Sequence, residues 1–307
     1  MKKNNILMFA LLGAMACVSC QESFEIEEKQ QPVEPAKKWT LTVQATKGVD
    51  TKALKLESND ELKAYWADGE KVAVFSESGY VGVLTAQADP SNNQKATLTA
   101  ESSALSVIRD GSTLTLLFPG REDRLWNYAG QDGSSPVEGG TTLATLYDYA
   151  MATVTAKVEG STITTTTAQF VNQQNIFRFG FKKKADNSGT TYTVPVSVQK
   201  FVVSSPNLVA SRTFNSGSWT SKKEVELTVT PASATSDLLY AALRIEQESS
   251  ADESLLFKVF GANNDYYEGT QTIPANYLTN GKFVSAKGVK VDQPTLPTTN
   301  ASPATTF

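Results

Sequence analysis

Short runs of alternating apolar and polar residues are the feature that most constrains the fold of this chain. Residues 39–45, Trp-Thr-Leu-Thr-Val-Gln-Ala, form one such run, and the pattern recurs through most of the 307 residues. A period of two places the apolar side chains on one face, which is typical of a half-buried β-strand. Turn residues separate the runs at intervals of about 8–12 residues, a spacing typical of β-sandwiches. No stretch has the i, i+3, i+4, i+7 apolar repeat of a helix, so the sequence predicts an all-β protein.

The same pattern predicts where the body of the protein begins, divides and ends. Residues 20–38 are rich in Glu, Gln, Lys and Pro and predict an acidic, polar and flexible tether. Residues 39–172 predict an N-terminal β-sandwich domain and residues 173–291 a C-terminal one. Residues 292–307 hold three prolines among threonines, which favours an extended, disordered tail.

Residues 1–19 have the organisation of a secretory signal peptide. Lys2 and Lys3 precede an apolar run over residues 6–16, which ends in small residues. The run is about half the length of the roughly 20 residues that a membrane-spanning helix needs. Because Cys20 follows the small residues, the segment resembles a bacterial lipoprotein signal, in which the peptide is cut before a cysteine that carries a diacylglycerol. A di- or triacylated Cys20 would anchor everything downstream to a membrane, since two or more acyl chains bind firmly.

Two alternatives to lipidation at Cys20 stay open. Cys17 could be the acylated residue, or the segment could be a plain secretory signal with two incidental cysteines. The acidic stretch 21–28 resembles the export signal that sends many Bacteroidota lipoproteins to the outer face of the outer membrane. A charge run of this kind is also typical of a solvated tether.

Composition excludes several classes of function. The formal net charge is −4, and removing residues 1–19 with Lys2 and Lys3 makes it −6, so no basic footprint for nucleic acid is present. The chain has no histidine, which excludes Ser-His-Asp and Cys-His catalysis and deprives zinc of its usual ligand. No cysteine follows Cys20. We therefore predict no cofactor, no metal and no enzymatic activity, although carboxylate-pair hydrolysis remains formally possible.

Four motifs in order indicate a family. The first is Trp66-Ala67-Asp68-Gly69-Glu70-Lys71, a tryptophan and a Gly-acid turn leading into an alternating strand; the others are Leu114–Pro119, Tyr147–Met151 followed by Phe170–Phe181, and Gly281-Lys282-Phe283 with Val289–Val291. Together they resemble the fimbrillin family, the pilus-subunit-like lipoproteins of Bacteroidota. That family usually has Asp where this chain has Glu70.

The resemblance implies two tandem transthyretin-like β-sandwich domains and a structural role. The chain would be a subunit, anchor or adhesin of a surface fimbria, located at the outer membrane through lipid on Cys20. Its partners would be other fimbrial subunits, joined by strand exchange. In the family a protease removes an N-terminal segment, and a strand from the next subunit fills the groove by β-strand addition.

The processing site is where the chain departs from the family. Cleavage in the family follows an early arginine, whereas the first arginine here is Arg109. Lys47 is the basic residue that would be exposed just after the first strand, and it is the candidate processing site. The alternative is that Lys47 is an ordinary surface turn residue. The proline-containing tail would make a poor donor strand, and residues 283–291 are another candidate donor.

Aromatic residues in predicted loops suggest a second function. Trp126 and Tyr128 lie in a polar stretch, residues 121–140, and Tyr266 and Tyr267 lie beside a turn. Their rings could stack on sugars of a glycan, or they could be core packing. The second hypothesis is therefore a monomeric surface lipoprotein of the same fold that binds glycan or host protein through its loops. A carboxylate hydrolase is a third.

Overall fold

Strands make up most of the regular structure in the part of the chain that the computed structural model describes. That part is residues 37–47, 55–56, 62–63, 65–121, 123–136, 142–186, 189–215, 217–223, 226–247, 251–278 and 281–294. Cys20, the tether up to residue 36 and the tail beyond residue 294 lie outside it. The predictions made for those segments therefore remain predictions.

The first sheet is 8-stranded and its pairings close into a barrel-like ring. Its strands are β1 (Trp39–Lys47), β4 (Lys71–Ser76), β5 (Gly79–Ala88), β6 (Lys95–Ser102), β7 (Thr113–Phe118), β9 (Ala150–Glu159), β10 (Thr162–Thr165) and β11 (Ala168–Asn172). Going round the ring, β1 pairs with β6, followed by β5, β4, β7 and β9. The short strands β10 and β11 both pair with β9 and with β1, which closes it.

The second sheet is also 8-stranded and begins after residue 172. Its strands are β12 (Asn175–Lys184), β13 (Tyr192–Pro195), β14 (Val198–Ser204), β17 (Glu226–Val229), β18 (Leu239–Leu243), β19 (Glu253–Gly261), β20 (Tyr266–Ile273) and β21 (Phe283–Asp292). Their order is β13-β12-β21-β20-β19-β14-β17, and β18 pairs with β12. The candidate donor segment 283–291 lies within β21, between β12 and β20, so it is part of the sheet interior.

A third, 3-stranded sheet joins the two halves of the sequence. It contains β8 (Leu125–Asn127), β15 (Val209–Asn215) and β16 (Ser218–Lys223). The remaining elements are a strand pair, one α-helix and short 3₁₀ turns: β2 (Lys55–Leu56), β3 (Leu62–Lys63), α1 (Thr142–Leu146), Ser103–Val107, Ala262–Asn264 and Ala275–Tyr277.

Two apolar clusters form the core of the described residues. One lies inside the ring and includes Leu41, Val43, Trp66 and Phe170. The other is built mainly from residues after 172, and it also contains Trp126, Tyr128 and Tyr149 from the first half of the sequence. Side chains alternate along the strands as the sequence predicts; β9, for example, points Ala150, Ala152 and Val154 inward.

The all-β class is confirmed, while the transthyretin-like topology and the division into two domains stay predictions. Two local differences have physical causes. The run 176–181 does not alternate in burial, because β12 is covered on both faces. The predicted loop 121–140 contains β8, which forms because β15 supplies its hydrogen-bonding partner.

Gly120 allows the turn after β7 to approach β4. A Cβ at this position would lie 2.8 Å from backbone atoms of Lys71, Val72 and Ala73. We expect Gly120→Ala to lower the free energy of unfolding by about 1–3 kcal/mol through overpacking. Gly82→Ala is the matched control, because a Cβ there meets nothing within 4 Å. Equal urea midpoints for the two variants would contradict this prediction.

Glu253 at the start of β19 gives the stability a dependence on acidic pH. Burial raises its pKa, but hydrogen bonds from Ser205, Asn207 and Gln247 outweigh it, so the pKa lies below its usual value. A carboxyl with a lowered folded-state pKa adds stability above its unfolded pKa of about 4.3, and this is lost as pH falls through the folded pKa.

We therefore expect Glu253→Gln to lower the free energy of unfolding by about 1–3 kcal/mol at neutral pH. The difference from the wild type should shrink as the pH falls below about 4. Glu101→Gln, which changes an exposed carboxylate, is the control. Thermal unfolding from pH 3 to pH 7 measures the stability of the wild type and of both variants. A loss of stability in Glu253→Gln that does not change with pH would contradict the role given to the Glu253 carboxylate.

Candidate functional site

The first strand fills a slot between two parts of the ring. On one side β1 pairs antiparallel with β6 over almost its full length, from Trp39↔Ser102 to Thr46↔Lys95. On the other side it pairs parallel, first with β10 and then with β11. β1 is therefore hydrogen-bonded on both edges although it is the first strand of the described chain.

The apolar face of β1 completes the core of the ring. Its buried residues are Leu41, Val43, Ala45 and Lys47, each two positions from the next. The first three are 0–2% exposed. Fully burying a side chain such as Val or Leu stabilises a fold by about 1.5–3 kcal/mol. A chain without β1 would expose an apolar groove with two unpaired strand edges.

Lys47, the last residue of β1, is a buried cation inside this core. Only 1% of its side chain is exposed. Its Nζ donates to the carbonyl oxygen of Tyr65 at 3.0 Å and lies 3.3 Å from Oε2 of Glu70 and 3.8 Å from Oδ2 of Asp148. Removing an ammonium and carboxylates from water costs several kcal/mol per ion, which ion pairing and hydrogen bonding must offset.

Aromatic rings enclose the ammonium group on its remaining sides. Nζ lies 4.3 Å from the ring centroid of Trp66 and 3.9 Å from that of Phe118, distances at which the ring quadrupole attracts a cation. Trp66 in turn packs edge-on against Phe118 and Phe170, with centroids 5.5 and 5.2 Å apart. We call Lys47, Glu70, Asp148, Trp66 and Phe118 the lysine box.

The predicted exposure of Lys47 is wrong. Every second residue of β1 from Leu41 onward points inward. Lys47 is two positions after Ala45, so it also points inward, although it is not apolar. A protease cannot bind this side chain while β1 is in its slot. The alternative interpretation as a surface turn residue is wrong for the same reason.

The box has a sequence signal that the apolar pattern alone does not reveal. Its other four members come from three of the four motifs: Trp66 and Glu70 from the first, Phe118 from the second and Asp148 from the third. Pairing of β4 with β7 and of β7 with β9 brings these motifs together. Continuing the alternation of β1 from Ala45 to Lys47 would have predicted that the lysine side chain points inward, towards these motifs.

Trp126 and Tyr128 do not offer a ring face to a ligand, because they are 1% and 0% exposed. Trp126 lies between the rings of Tyr149 and Trp219, with centroids 5.1 and 4.3 Å away. Tyr128 N–H donates to the carbonyl oxygen of Ala210 at 2.8 Å. The stacking hypothesis is therefore wrong for both residues, and they pack in the core.

Tyrosines beside this cluster hold the chain that leads to Asp148. The Tyr149 hydroxyl donates to the carbonyl oxygen of Asn127 at 2.9 Å and accepts its N–H at 3.0 Å. The Tyr147 hydroxyl donates to the carbonyl oxygen of Ala129 at 2.7 Å. Burial raises the pKa of Tyr149, and it raises the pKa of Tyr147 to about 12, so both act as neutral hydroxyls.

Tyr266 and Tyr267 differ in exposure. Tyr267 is 2% exposed, and its hydroxyl accepts from Nζ of Lys183 at 2.8 Å and donates to Asp265 at 3.0 Å. Tyr266 is half-buried, packs against Phe260 and donates to Glu268. Desolvation, followed by the hydrogen bond to Glu268, raises the pKa of Tyr266 to about 12. Of the four aromatic residues proposed for stacking, Tyr266 is the most accessible; its ligand role stays a prediction.

Burial of Lys47 predicts resistance to trypsin in the folded protein. Trypsin must bind the lysine side chain in its own pocket, and that of Lys47 is enclosed by the lysine box. Lys38, near the start of the same strand, is the control, because 73% of its side chain is exposed. We expect cleavage after Lys38 at least about tenfold faster than after Lys47, measured by mass spectrometry of early digests. Equal rates would contradict the enclosed position of Lys47.

Among the described residues, no helix is long and apolar enough to cross a membrane. No family model and no curated protein matches the chain.

Several solved structures from Bacteroides are similar to the chain, all at low identity. One is a candidate cell adhesion protein from Bacteroides uniformis, with 15% identity, coverage of 85% of this chain and 97% of that chain, and a TM-score of 0.44. A second is described as a candidate polysaccharide-binding protein from Bacteroides thetaiotaomicron, with 13% identity, coverage of 74% and 78%, and a TM-score of 0.37. A third is a candidate adhesin from Bacteroides ovatus, with 12% identity, coverage of 74% and 76%, and a TM-score of 0.32.

Proposed function

We propose that the chain is a lipid-anchored surface protein of the fimbrial-subunit type, built for strand exchange at the slot of β1. It acts as a structural subunit, anchor or adhesin and has no enzymatic activity. Its lipid is carried by Cys20, and its location is the outer face of the outer membrane.

The position of β1 is the observation that carries this proposal. A first strand would ordinarily be added at a sheet edge, but β1 closes a ring with hydrogen bonds on both sides. Its three apolar side chains fill the ring interior from one face. Main-chain hydrogen bonds would give affinity to any strand in this slot, and the pockets for alternate side chains would give specificity.

A vacated slot would also explain why β1 must be held firmly. Two adjacent unpaired edges with an apolar floor are a template for pairing with other chains. The lysine box holds the end of β1 through two carboxylates and a carbonyl oxygen. Opening of the slot would require these contacts to break. This role needs no reacting substrate, which supports a structural function over a catalytic one.

A second candidate function is binding of glycan or host protein by a monomeric form. The favouring observation is an open cavity of about 610 Å³ lined by Lys183, Lys184, Tyr267 and Asp292. Charged side chains such as those of Lys184 and Asp292 can hydrogen-bond the hydroxyl groups of a sugar. Retardation of the protein in a polysaccharide-containing gel, lost on Lys184→Ala, would favour this function.

Strand exchange predicts that β1 can be supplied in trans. A chain that begins at Gly48 is refolded with a synthetic peptide of residues 39–47, which should restore a soluble monomer containing the peptide. The control is the same peptide with Leu41→Asp and Val43→Asp, which should not bind because it would bury charges in the ring. Size-exclusion chromatography and tryptophan fluorescence measure the result.

Two outcomes would contradict the proposal. One is a stable, soluble monomer formed by the truncated chain alone. The other is equal binding of the two peptides, which would mean that the pockets of the slot do not select a strand.

A further inference from the structure

We propose that Lys47 and Asp148 are a self-modification site, at which an amide bond forms between the two side chains with Glu70 as the catalytic residue. The bond would join the end of β1 covalently to the chain segment before β9. The inference goes beyond the proposed function, because the bond forms while β1 occupies its own slot and would exclude strand exchange there in the molecules that carry it.

The three reacting groups lie together inside the protein. Nζ of Lys47 is 3.8 Å from Oδ2 of Asp148 and 3.3 Å from Oε2 of Glu70. The side chains of Lys47 and Asp148 are 1% and 5% exposed, and that of Glu70 is 26% exposed. A nucleophile and an electrophile held this close react with a high effective concentration.

Aromatic rings separate the reacting groups from solvent. The rings of Trp66 and Phe118 lie over the Lys47 ammonium, and Phe170 packs behind Trp66. Proton transfer from the ammonium to the Asp148 carboxylate yields an amine and a carboxylic acid, which are the two forms that condense.

The backbone on either side holds the partners in place. Lys47 N–H donates to the carbonyl oxygen of Gln94 at 2.9 Å, which fixes the end of β1. The residue after Asp148 accepts a hydrogen bond at its carbonyl oxygen from Gln173 N–H at 2.8 Å. Oε2 of Glu70 accepts from Ala67 N–H at 3.1 Å, which orients that carboxylate towards Nζ.

The reaction is a condensation that needs no other reagent. The Lys47 amine attacks Cγ of Asp148, and Glu70 accepts a proton from the nitrogen as the N–C bond forms. Glu70 returns that proton to the departing hydroxyl as the C–O bond breaks. One water leaves, an amide remains, and no group changes its oxidation state.

The bond would decide which role the subunit takes within the proposed function. A covalently held β1 could not be displaced by a donor strand. Lipid on Cys20 would remain joined to the body even if the chain were cut after residue 47. The subunit would then be an anchored end of a fimbria and not an acceptor within its stalk.

Mass spectrometry of the full-length lipoprotein, extracted from membranes with detergent, tests the proposal. We expect a digest to contain a branched peptide that joins the Lys47 and Asp148 segments and is lighter than their sum by one water. Lys38 and Glu101 form the control, because their charged atoms are 3.3 Å apart and Lys38 directly precedes β1, but their side chains are 73% and 57% exposed. That pair should remain unjoined.

Variants separate the roles of the three residues. Lys47→Met and Asp148→Ala should abolish the branched peptide, and Glu70→Gln should slow its formation about 100-fold, as expected for loss of acid-base catalysis. If the variants fail to fold, the wild-type digest still decides.

Unbranched Lys47 and Asp148 peptides from folded wild-type protein, after prolonged incubation, would overturn the proposal. That result would leave strand exchange intact, because peptide binding by the truncated chain does not require the bond. Failure of the peptide to bind would contradict strand exchange but not the amide bond, which the digest of the full-length protein tests independently.

Discussion

Two-sided pairing of β1 is the constraint on which the first half of the structure depends. A ring of strands has no edge only while every strand has a partner on both sides. β1 is the partner of β6 on one side and of β10 and β11 on the other. The same strand places Leu41, Val43 and Ala45 in the interior. Closure and core formation therefore depend on one segment, the first strand of the described residues.

The lysine box is the energetically demanding part of that arrangement. An apolar residue at position 47 would continue the face of β1 without any charge to desolvate, and replacing buried ion pairs by apolar residues often stabilises a protein. The box instead assembles two carboxylates and two rings around one ammonium. Such an arrangement fixes the register of β1. A shift of one residue would turn Lys47 out of the box and point Leu41, Val43 and Ala45 at solvent.

Much of the fold could be predicted from local sequence, whereas the meeting of the box residues and the burial of the aromatic cluster depend on pairing between distant strands. Period-two alternation indicates strands such as β1 and β9, since a strand with one buried face leaves that pattern in its own residues. Burial of Trp126 depends on β15, which pairs with β8 although it lies in the other half of the sequence. Polar loop residues around Trp126 suggested exposure because long-range pairing leaves no trace in them.

The motifs of the family resemblance acquire a common physical meaning at Lys47. Trp66, Glu70, Phe118 and Asp148 come from three segments that are far apart in sequence, yet each contacts or faces the same ammonium group. The side chain of Glu70 is long enough for Oε2 to approach Nζ of Lys47 while it also accepts from Ala67 N–H. The end of β1 is therefore specified by residues from three separate segments, so its position in the ring depends on contacts that no one of these segments could supply alone.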